Sequence, residues 1–262
     1  MSASERIVVV MPAYNAGKTL DTVFRQLPRE LLERVIVVDD GSADDTVAIA
    51  RALDLQLLVH TRNRGYGASQ KTGYRAALDA GASIVVMAHP DGQHDARLVP
   101  DLVAPILAGR ADLVLGSRFM GRSPVAQGMP RWRYAGNRVL SWAENAVLGL
   151  QLSEFHCGFR AFRREVLESV PFGLNSDRFL FDQEIVAQSA VNGFRIAEVP
   201  VPTRYAPDSS SVSLAASLRY GLGVIWMLAR HRAHCSGILA QRWLQRTGAV
   251  KFAPRTGIPE LP

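Results

Sequence analysis

Between Val85 and Asp95 the chain passes from an apolar run, Val85-Val86-Met87-Ala88, straight into His89-Pro90-Asp91-Gly92-Gln93-His94-Asp95. A carboxylate and a carboxamide two residues apart, with imidazoles on either side, form a donor set for a hard divalent cation. Magnesium and manganese take carboxylate, amide-carbonyl and water oxygens. The i, i+2 spacing of Asp91 and Gln93 lets both side chains aim at one ion, and Gly92 lets the backbone turn between them. An ion held there can in turn hold a diphosphate.

Three further loops bring short polar side chains and glycines together. Pro12-Ala13-Tyr14-Asn15 and Asp39-Asp40-Gly41-Ser42 can hold a base and a ribose, because a carboxylate accepts from a ribose hydroxyl or a base N–H. Taken alone, Asp-Gly-Ser is an ordinary turn and helix cap. Asn63-Arg64-Gly65-Tyr66-Gly67-Ala68-Ser69 carries the first two glycines of a dinucleotide fingerprint, Gly65 and Gly67, without the third. It also follows a third strand instead of a first, which argues against a Rossmann dehydrogenase.

These loops need strands to aim them. Arg6 to Met11, ended by Pro12, and Arg34 to Val38, ended by the acidic turn, read as buried parallel strands. Further strands are expected over Gln56 to His60, Ser83 to Ala88 and Asp112 to Gly116. Between them helical spacing covers Lys18 to Leu27, Asp44 to Leu53 with Ser42 as candidate cap, Ala68 to Ala80, and Leu98 to Ala108. Strands alternating with helices predict an α/β fold, a Rossmann-like, mostly parallel sheet flanked by helices. Ligands in such sheets sit beyond the carboxyl ends of the strands. The second half is less regular: a helix over Tyr134 to Leu148, a strand near Gly158 to Arg163, a helix over Phe181 to Asn192 and a strand over Arg195 to Val199. A C-terminal amphipathic helix follows from Leu214 to Ala229, with Leu214, Leu218, Leu222 and Ile225 on one side.

Bulk properties narrow the class. The chain has 262 residues, 48% of them hydrophobic, enough for a packed core. Met1 to Arg6 is polar and lacks signal-peptide character. The longest apolar run, Gly221 to Ala229, is too short to span a bilayer. Two cysteines, Cys157 and Cys235, make no disulfide framework and fit a reducing cytosol. Net charge is +6, but from Arg230 onward six Lys or Arg face one acid, which leaves the first 229 residues near +1. A nucleic-acid-binding domain carries its basic face on the folded body, so nucleic acid is not an expected partner.

In order along the chain, Pro12 to Asn15, Val38 to Ser42, Asn63 to Ala68, His89 to Asp95, Gly116-Ser117-Arg118-Phe119, Cys157-Gly158-Phe159-Arg160 and Gly193 to Pro200 resemble the family 2 glycosyltransferases of GT-A fold. The similarity is greatest to the branch of dolichol-phosphate mannose synthases and bacterial polyprenyl-phosphate glycosyltransferases, and it runs from Ile7 to Tyr205. The resemblance implies a GT-A domain over residues 1–212 and a nucleotide-diphosphate sugar donor. Pro12, Tyr14, Asn15, Asp39, Asp40, Gly65, Gly67 and Asp91 fall in the donor site. Asp91 and Gln93 contact the metal, Mg2+ or Mn2+, and the donor diphosphate. Where the family has Asp-x-Asp, this chain has His89-Pro90-Asp91. His89 is then a neighbouring hydrogen-bond donor, a ligand that tilts preference toward manganese, or a polar strand-end residue.

The implied reaction is displacement at the anomeric carbon, inverting, with a departing nucleoside diphosphate. Arg118 and Arg160 are candidates for acceptor phosphate or donor diphosphate, because a guanidinium binds phosphate oxygens in a two-point fork. Arg131 and Arg133, flanking Trp132 in an expected loop, are further candidates. A phosphate acceptor attacks already ionised, whereas a hydroxyl needs a carboxylate base; Glu154 stands at the family's position for one, with Asp182 and Glu184 as other candidates. Asp91, Glu154, Arg118 and Arg160 make up the expected catalytic set.

The leading acceptor is a polyprenyl (dolichyl-type) phosphate, placing the enzyme in cell-envelope chemistry at the cytoplasmic face of a membrane. The alternatives are a soluble transferase acting on a hydroxyl in polysaccharide or glycolipid synthesis, and a non-catalytic nucleotide-sugar-binding protein. One departure bears on this choice: the branch's Gly-x-Ser-Lys element is replaced after Arg204 by Tyr205-Ala206-Pro207-Asp208 and Ser209 to Ser211, without the lysine. Residues 213–262 form an apolar helix and basic tail. Trp226, Trp243, Arg230, Arg232, Arg242 and Arg246 suit peripheral contact with an anionic leaflet, each basic residue contributing on the order of 1 kcal/mol.

Overall fold

The computed structural model describes residues 5–121, 123–202 and 214–245. Seven strands form one sheet: β1 (Ile7–Ala13), β2 (Arg34–Asp39), β3 (Gln56–Val59), β4 (Ile84–Met87), β5 (Leu113–Ser117), β6 (Arg160–Arg163) and β7 (Ile196–Pro200). Their order is β3-β2-β1-β4-β6-β5-β7. β1, β2, β3 and β4 pair in parallel, as do β5 and β7, while β6 runs antiparallel to both of its neighbours. The expected mostly parallel sheet is therefore present, and β6 is its one reversed strand.

β-branched residues dominate the central strands because both faces are covered. Along β1, Val9 and Met11 enter one core and Val8 and Val10 the other, all of them fully buried. The first face is closed by α1 (Leu20–Gln26), α2 (Thr46–Ala52) and α4 (Val99–Leu107). The second is closed by α3 (Tyr66–Asp79), α6 (Arg164–Ser169) and α7 (Phe181–Val191), where Tyr74, Phe162 and Phe181 meet. Each such side chain contributes roughly 1.5–3 kcal/mol by leaving water. α6 is absent from the sequence reading; at six residues it is too short to show a period.

A third cluster joins α5 (Arg131–Leu148) and α8 (Leu214–Cys235) to α7 through Val224, Met227 and Leu228. α5 begins three residues earlier than expected, so Arg131, Trp132 and Arg133 form its first turn and not a loop. It stops at Gly149, whose φ of 69° gives the left-handed cap that glycine favours. α8 packs on the body through the side away from the leucine stripe. Leu218, Leu222 and Ile225 face outward, and Val224, Met227 and Leu228 face in.

The tail is also partly reassigned. Trp243 is buried, the Arg230 guanidinium lies 5.2 Å from its ring, and Arg230 Nε donates to Gln241 Oε1. Those two residues hold the 242–244 turn against the body, so neither is offered to a membrane. Arg204, Tyr205 and Ser209 to Ser211, which stand where the branch has its Gly-x-Ser-Lys element, lie outside the described residues, as does Arg246.

Candidate active site

β2 and β4 flank β1, and all three point their carboxyl ends to one edge. The register pairs Ala13 with Asp39 and Val10 with Met87. The sheet reverses its winding between β1 and β4, the place where open α/β sheets bind ligands. Here the loops after β1 and β2 are sewn together. Asn15 N–H donates to Ser42 Oγ and Ala43 N–H to Asn15 Oδ1, both at 2.9 Å; Ala16 N–H donates to Thr46 Oγ1 and Gly17 N–H to Asp44 Oδ2. Ser42 thus braces the first loop and does not cap α2; Asp44 accepts from Thr46 N–H instead. Asn15 takes a φ of 52°, which its short amide tolerates. Tyr14 stands half exposed above this floor, and Pro12 is partly buried in it.

Asp39 and Asp40 have different fates. Asp39 Oδ2 accepts from Gly41 N–H and Ser42 N–H, which leaves Oδ1 buried with no hydrogen-bond partner. Such an orphan is costly unless a ligand completes it. Asp40 is fully used: Oδ1 accepts from Arg64 N–H and lies 2.7 Å from His60 Nδ1, and Oδ2 accepts from Gly65 N–H. Asp40 therefore braces the β3–α3 loop.

The same loop corrects the reading of Gly65 and Gly67. A Cβ at Gly65 would stand 2.4 Å from Asp177 O, and one at Gly67 2.3 Å from Ser176 O. Gly67 N–H and Ala68 N–H both donate to Asp177 O. The backbone that approaches these glycines is the protein's own, so the start of α3 is closed to a diphosphate.

After β4, Ala88 N–H donates to Val10 O and the chain turns out of the sheet. Asp91 is exposed, and its Oδ1 accepts from Gln93 N–H at 2.9 Å, an Asx turn completed by Gly92 at φ 71°. Asp95 is spent locally on Arg97 N–H and the Arg97 guanidinium. His89 is packed: its ring stacks on Tyr66 at 5.6 Å, its Nε2 is 3.4 Å from Tyr66 Oη, and that nitrogen would lie 2.3 Å from any Cβ at Gly158. Through Nε2, then, His89 meets protein and is not presented as a metal ligand. Tyr66 also donates to Asp182 Oδ2, a partnership that no sequence spacing announced. His94 is buried beside Phe159 and Cys157, and burial holds its imidazole well below its usual range. Among the described residues no group of three or more His, Cys, Asp and Glu encloses a metal position. The donor set available is Asp91 with Gln93 beside it, which fits a hard cation that completes its shell with substrate phosphate and water oxygens.

The second half consumes its charges. Glu154 is fully buried and accepts from Arg118 N–H and Nε–H at 2.8 Å each and from Nη2. A carboxylate held in this way is a fixture for Arg118, not a free base. Glu198 accepts in turn from Ser153 and Glu154 N–H. Arg160, expected to bind phosphate, is fully buried and donates to the carbonyls of Phe155, Cys157 and Asp182. It staples three segments and has no face for a ligand. The other candidate bases are likewise engaged, Asp182 by Gln70 and Tyr66, Glu184 by Ser176 N–H. Burial pushes the Cys157 thiol up to about 12, so it is no nucleophile. Arg118 keeps its place at the end of β5 beside Phe119, which stacks on Tyr134 of α5 at 5.2 Å.

Residues 8–170 match the family described as Glycosyl transferase family 2. Among similar proteins, the UDP-N-acetylglucosamine–dolichyl-phosphate N-acetylglucosaminyltransferase of Methanococcus voltae is 27% identical over 86% of this chain and 96% of its own. The polyprenol monophosphomannose synthase of Mycolicibacterium smegmatis is 30% identical over 76% of this chain and 77% of its own. Among solved structures, glucosyl-3-phosphoglycerate synthase from Mycobacterium tuberculosis in complex with phosphoglyceric acid superposes with a TM-score of 0.67 at 25% identity, covering 93% of this chain and 86% of that one. The same synthase has also been crystallised with Mn2+, UDP-glucose and phosphoglyceric acid. With its sheet, its strand-end loops and these matches in agreement, the chain belongs to glycosyl transferase family 2, a sugar-transferring enzyme of GT-A fold.

Proposed function

We propose that the enzyme moves a sugar from a nucleoside-diphosphate donor to a polyprenyl phosphate at the cytoplasmic face of a membrane. The observation that carries the acceptor class is the engagement of every candidate base. Glu154 and Asp182 commit both carboxylate oxygens to internal partners, and buried Glu184 commits Oε2 to Ser176 N–H. A hydroxyl acceptor needs a free carboxylate to take its proton, whereas a phosphate monoester is already ionised near neutral pH and attacks unaided. The relatives named for dolichyl phosphate and polyprenol support the same choice.

In this reading Asp39 Oδ1 completes its hydrogen bonding on a donor N–H or hydroxyl of the nucleoside, which is why it is left buried and open. Tyr14 and Asn15 wall the nucleoside. Asp91, with the Gln93 amide, holds a divalent cation jointly with the donor diphosphate. When bound, Mg2+ or Mn2+ offsets the charge that develops on the departing nucleoside diphosphate. Glu154 fixes Arg118 in the turn after β5, beside the path of an incoming anion. The acceptor phosphate oxygen then attacks the anomeric carbon from the face opposite the leaving group, which inverts it.

Two matched acceptors test this, a polyprenyl phosphate and the corresponding alcohol, each given nucleotide sugars and Mn2+. Nucleoside diphosphate release should require the phosphate, and the rate should drop about tenfold per pH unit below pH ~6, where the phosphate takes up its second proton. Turnover with the alcohol and none with the phosphate would refute the acceptor class.

A further inference from the structure

Among the described residues, two neighbouring helices carry seven of the sixteen large hydrophobic side chains that are exposed. Val139 and Trp142 of α5 are 64% and 73% exposed, and Leu218, Leu222, Ile225 and Trp226 of α8 range from 49% to 72%. On α5 the outward positions Trp132, Ala135, Val139, Trp142 and Ala146 repeat at three and four residues, an unbroken stripe along one side. The two helices touch where Gly221 faces Leu140, whose Cδ1 is 3.8 Å from the position of a Cβ. Val139 and Leu222, each one residue from that contact, are both open to solvent, so the stripes border the same helix pair.

The charges on this face have one sign. α8 carries no Asp or Glu, and the one acid of α5, Glu144, is fully buried. Arg131, Arg138, Arg219 and Arg232 are exposed on the same helices. We infer that this α5–α8 face docks on an anionic lipid surface. Tryptophan and arginine around an aliphatic centre suit the boundary between headgroups and acyl chains. A second copy of the chain suits it poorly, because a two-fold contact would set the same arginines against each other with no exposed acid on these helices to answer them. No described helix is long and apolar enough to cross a membrane.

This deepens the acceptor reading. The Arg138 guanidinium lies 5.9 Å from the Phe119 ring, one residue from Arg118, and Tyr220 of α8 is 2.9 Å from His156 Nδ1. A lipid phosphate whose chain stays in the bilayer would thus reach Arg118 along the edge of the docked face.

Sedimentation of the full chain with vesicles of phosphatidylcholine and phosphatidylglycerol, 3:1, against phosphatidylcholine alone tests the face. The wild type should pellet with the anionic vesicles and be released by added salt. Trp142→Glu and Leu222→Glu, both at exposed positions, should weaken that binding at least tenfold, with unchanged melting and unchanged turnover of a short-chain, water-soluble phosphate acceptor. Leu107→Glu, half exposed at the end of α4, should bind as wild type. Unchanged binding in the two α5–α8 variants, equal loss in Leu107→Glu, or a dimer that these variants dissolve would each overturn the assignment. Vesicle binding without turnover of any phosphate acceptor would instead sink the acceptor reading and leave the face standing.

Discussion

The strand ends of β1, β2 and β4 and the shell around β5, β6 and α7 are both rich in charge, and they use it in opposite ways. At the first edge Asp91 faces solvent and Asp39 keeps one oxygen buried without a partner. In the second region Glu154 is saturated by Arg118, Arg160 by three carbonyls, and Asp182 by Gln70 and Tyr66. A buried charge is costly unless it is paired and hydrogen-bonded, and a charge so paired has little capacity left for a ligand. The two regions thus divide the work: one presents groups to the donor, and the other fixes geometry, including the placement of Arg118 at its edge.

Exchanging the expected phenotypes would break that division. Arg160→Met should be the most damaging change, since it removes the buried guanidinium that donates to three carbonyls, of which Phe155 O keeps a second donor in Gln183 Nε2. The expected loss is at least about 3 kcal/mol in a urea titration, at roughly 1 kcal/mol or more for each of the three hydrogen bonds removed. Asp91→Asn should do the reverse. Asparagine can still accept from Gln93 N–H, so stability should change by less than about 0.5 kcal/mol. The turnover number should nevertheless fall about 10²–10³-fold with the loss of leaving-group stabilisation. A stable, inactive Arg160→Met, or an active Asp91→Asn, would show that the boundary between the regions is drawn in the wrong place.

The same division explains what was legible in the sequence. The apolar runs Val8 to Val10 and Val35 to Val38 and the glycine and acid turns after them gave the parallel half, because burial on two faces writes itself into composition. The reversal of β6 left no such mark, since a four-residue strand reads alike in either direction. Asp39 and Asp40 are adjacent and chemically identical, yet side chains of successive extended residues leave on opposite sides; only the course of the distant 60–65 loop decides which one is consumed. Arg160 draws its acceptors from Phe155, Cys157 and Asp182, and no local pattern predicts that set. Gly65 and Gly67 show the same limit, since a glycine announces a close approach without naming what approaches. On α8 two apolar arcs compete, and the choice of the inward one depends on α5 and α7.

One residue departs from the rule of the second region and offers the smallest but sharpest test. Glu144 is fully buried, and neither carboxylate oxygen has a hydrogen-bond partner; His156 Nε2 lies 3.4 Å away in a geometry that forms none. Burial holds the Glu144 carboxyl well above its ordinary 4.5 and, with Arg118 and Arg160 nearby, holds His156 down to about 3. His156 is therefore neutral at pH 7, and burial biases Glu144 toward its protonated form. Below pH 4.5 the folded and unfolded chains both carry a protonated Glu144, and its burial costs no ionisation. As pH rises past 4.5 the unfolded chain ionises first, so stability is lost progressively toward the raised folded value. His156 acts in the other direction, with stability lost as pH falls from its ordinary 6.5 toward 3. Glu144→Gln keeps His156 and removes only the carboxyl. The variant should be more stable than wild type by on the order of 1 kcal/mol at pH 7.5, and the two should converge at pH 4. A less stable variant at pH 7.5 would mean that Glu144 is ionised and paired, which would make it one more brace of the kind that Glu154 provides for Arg118.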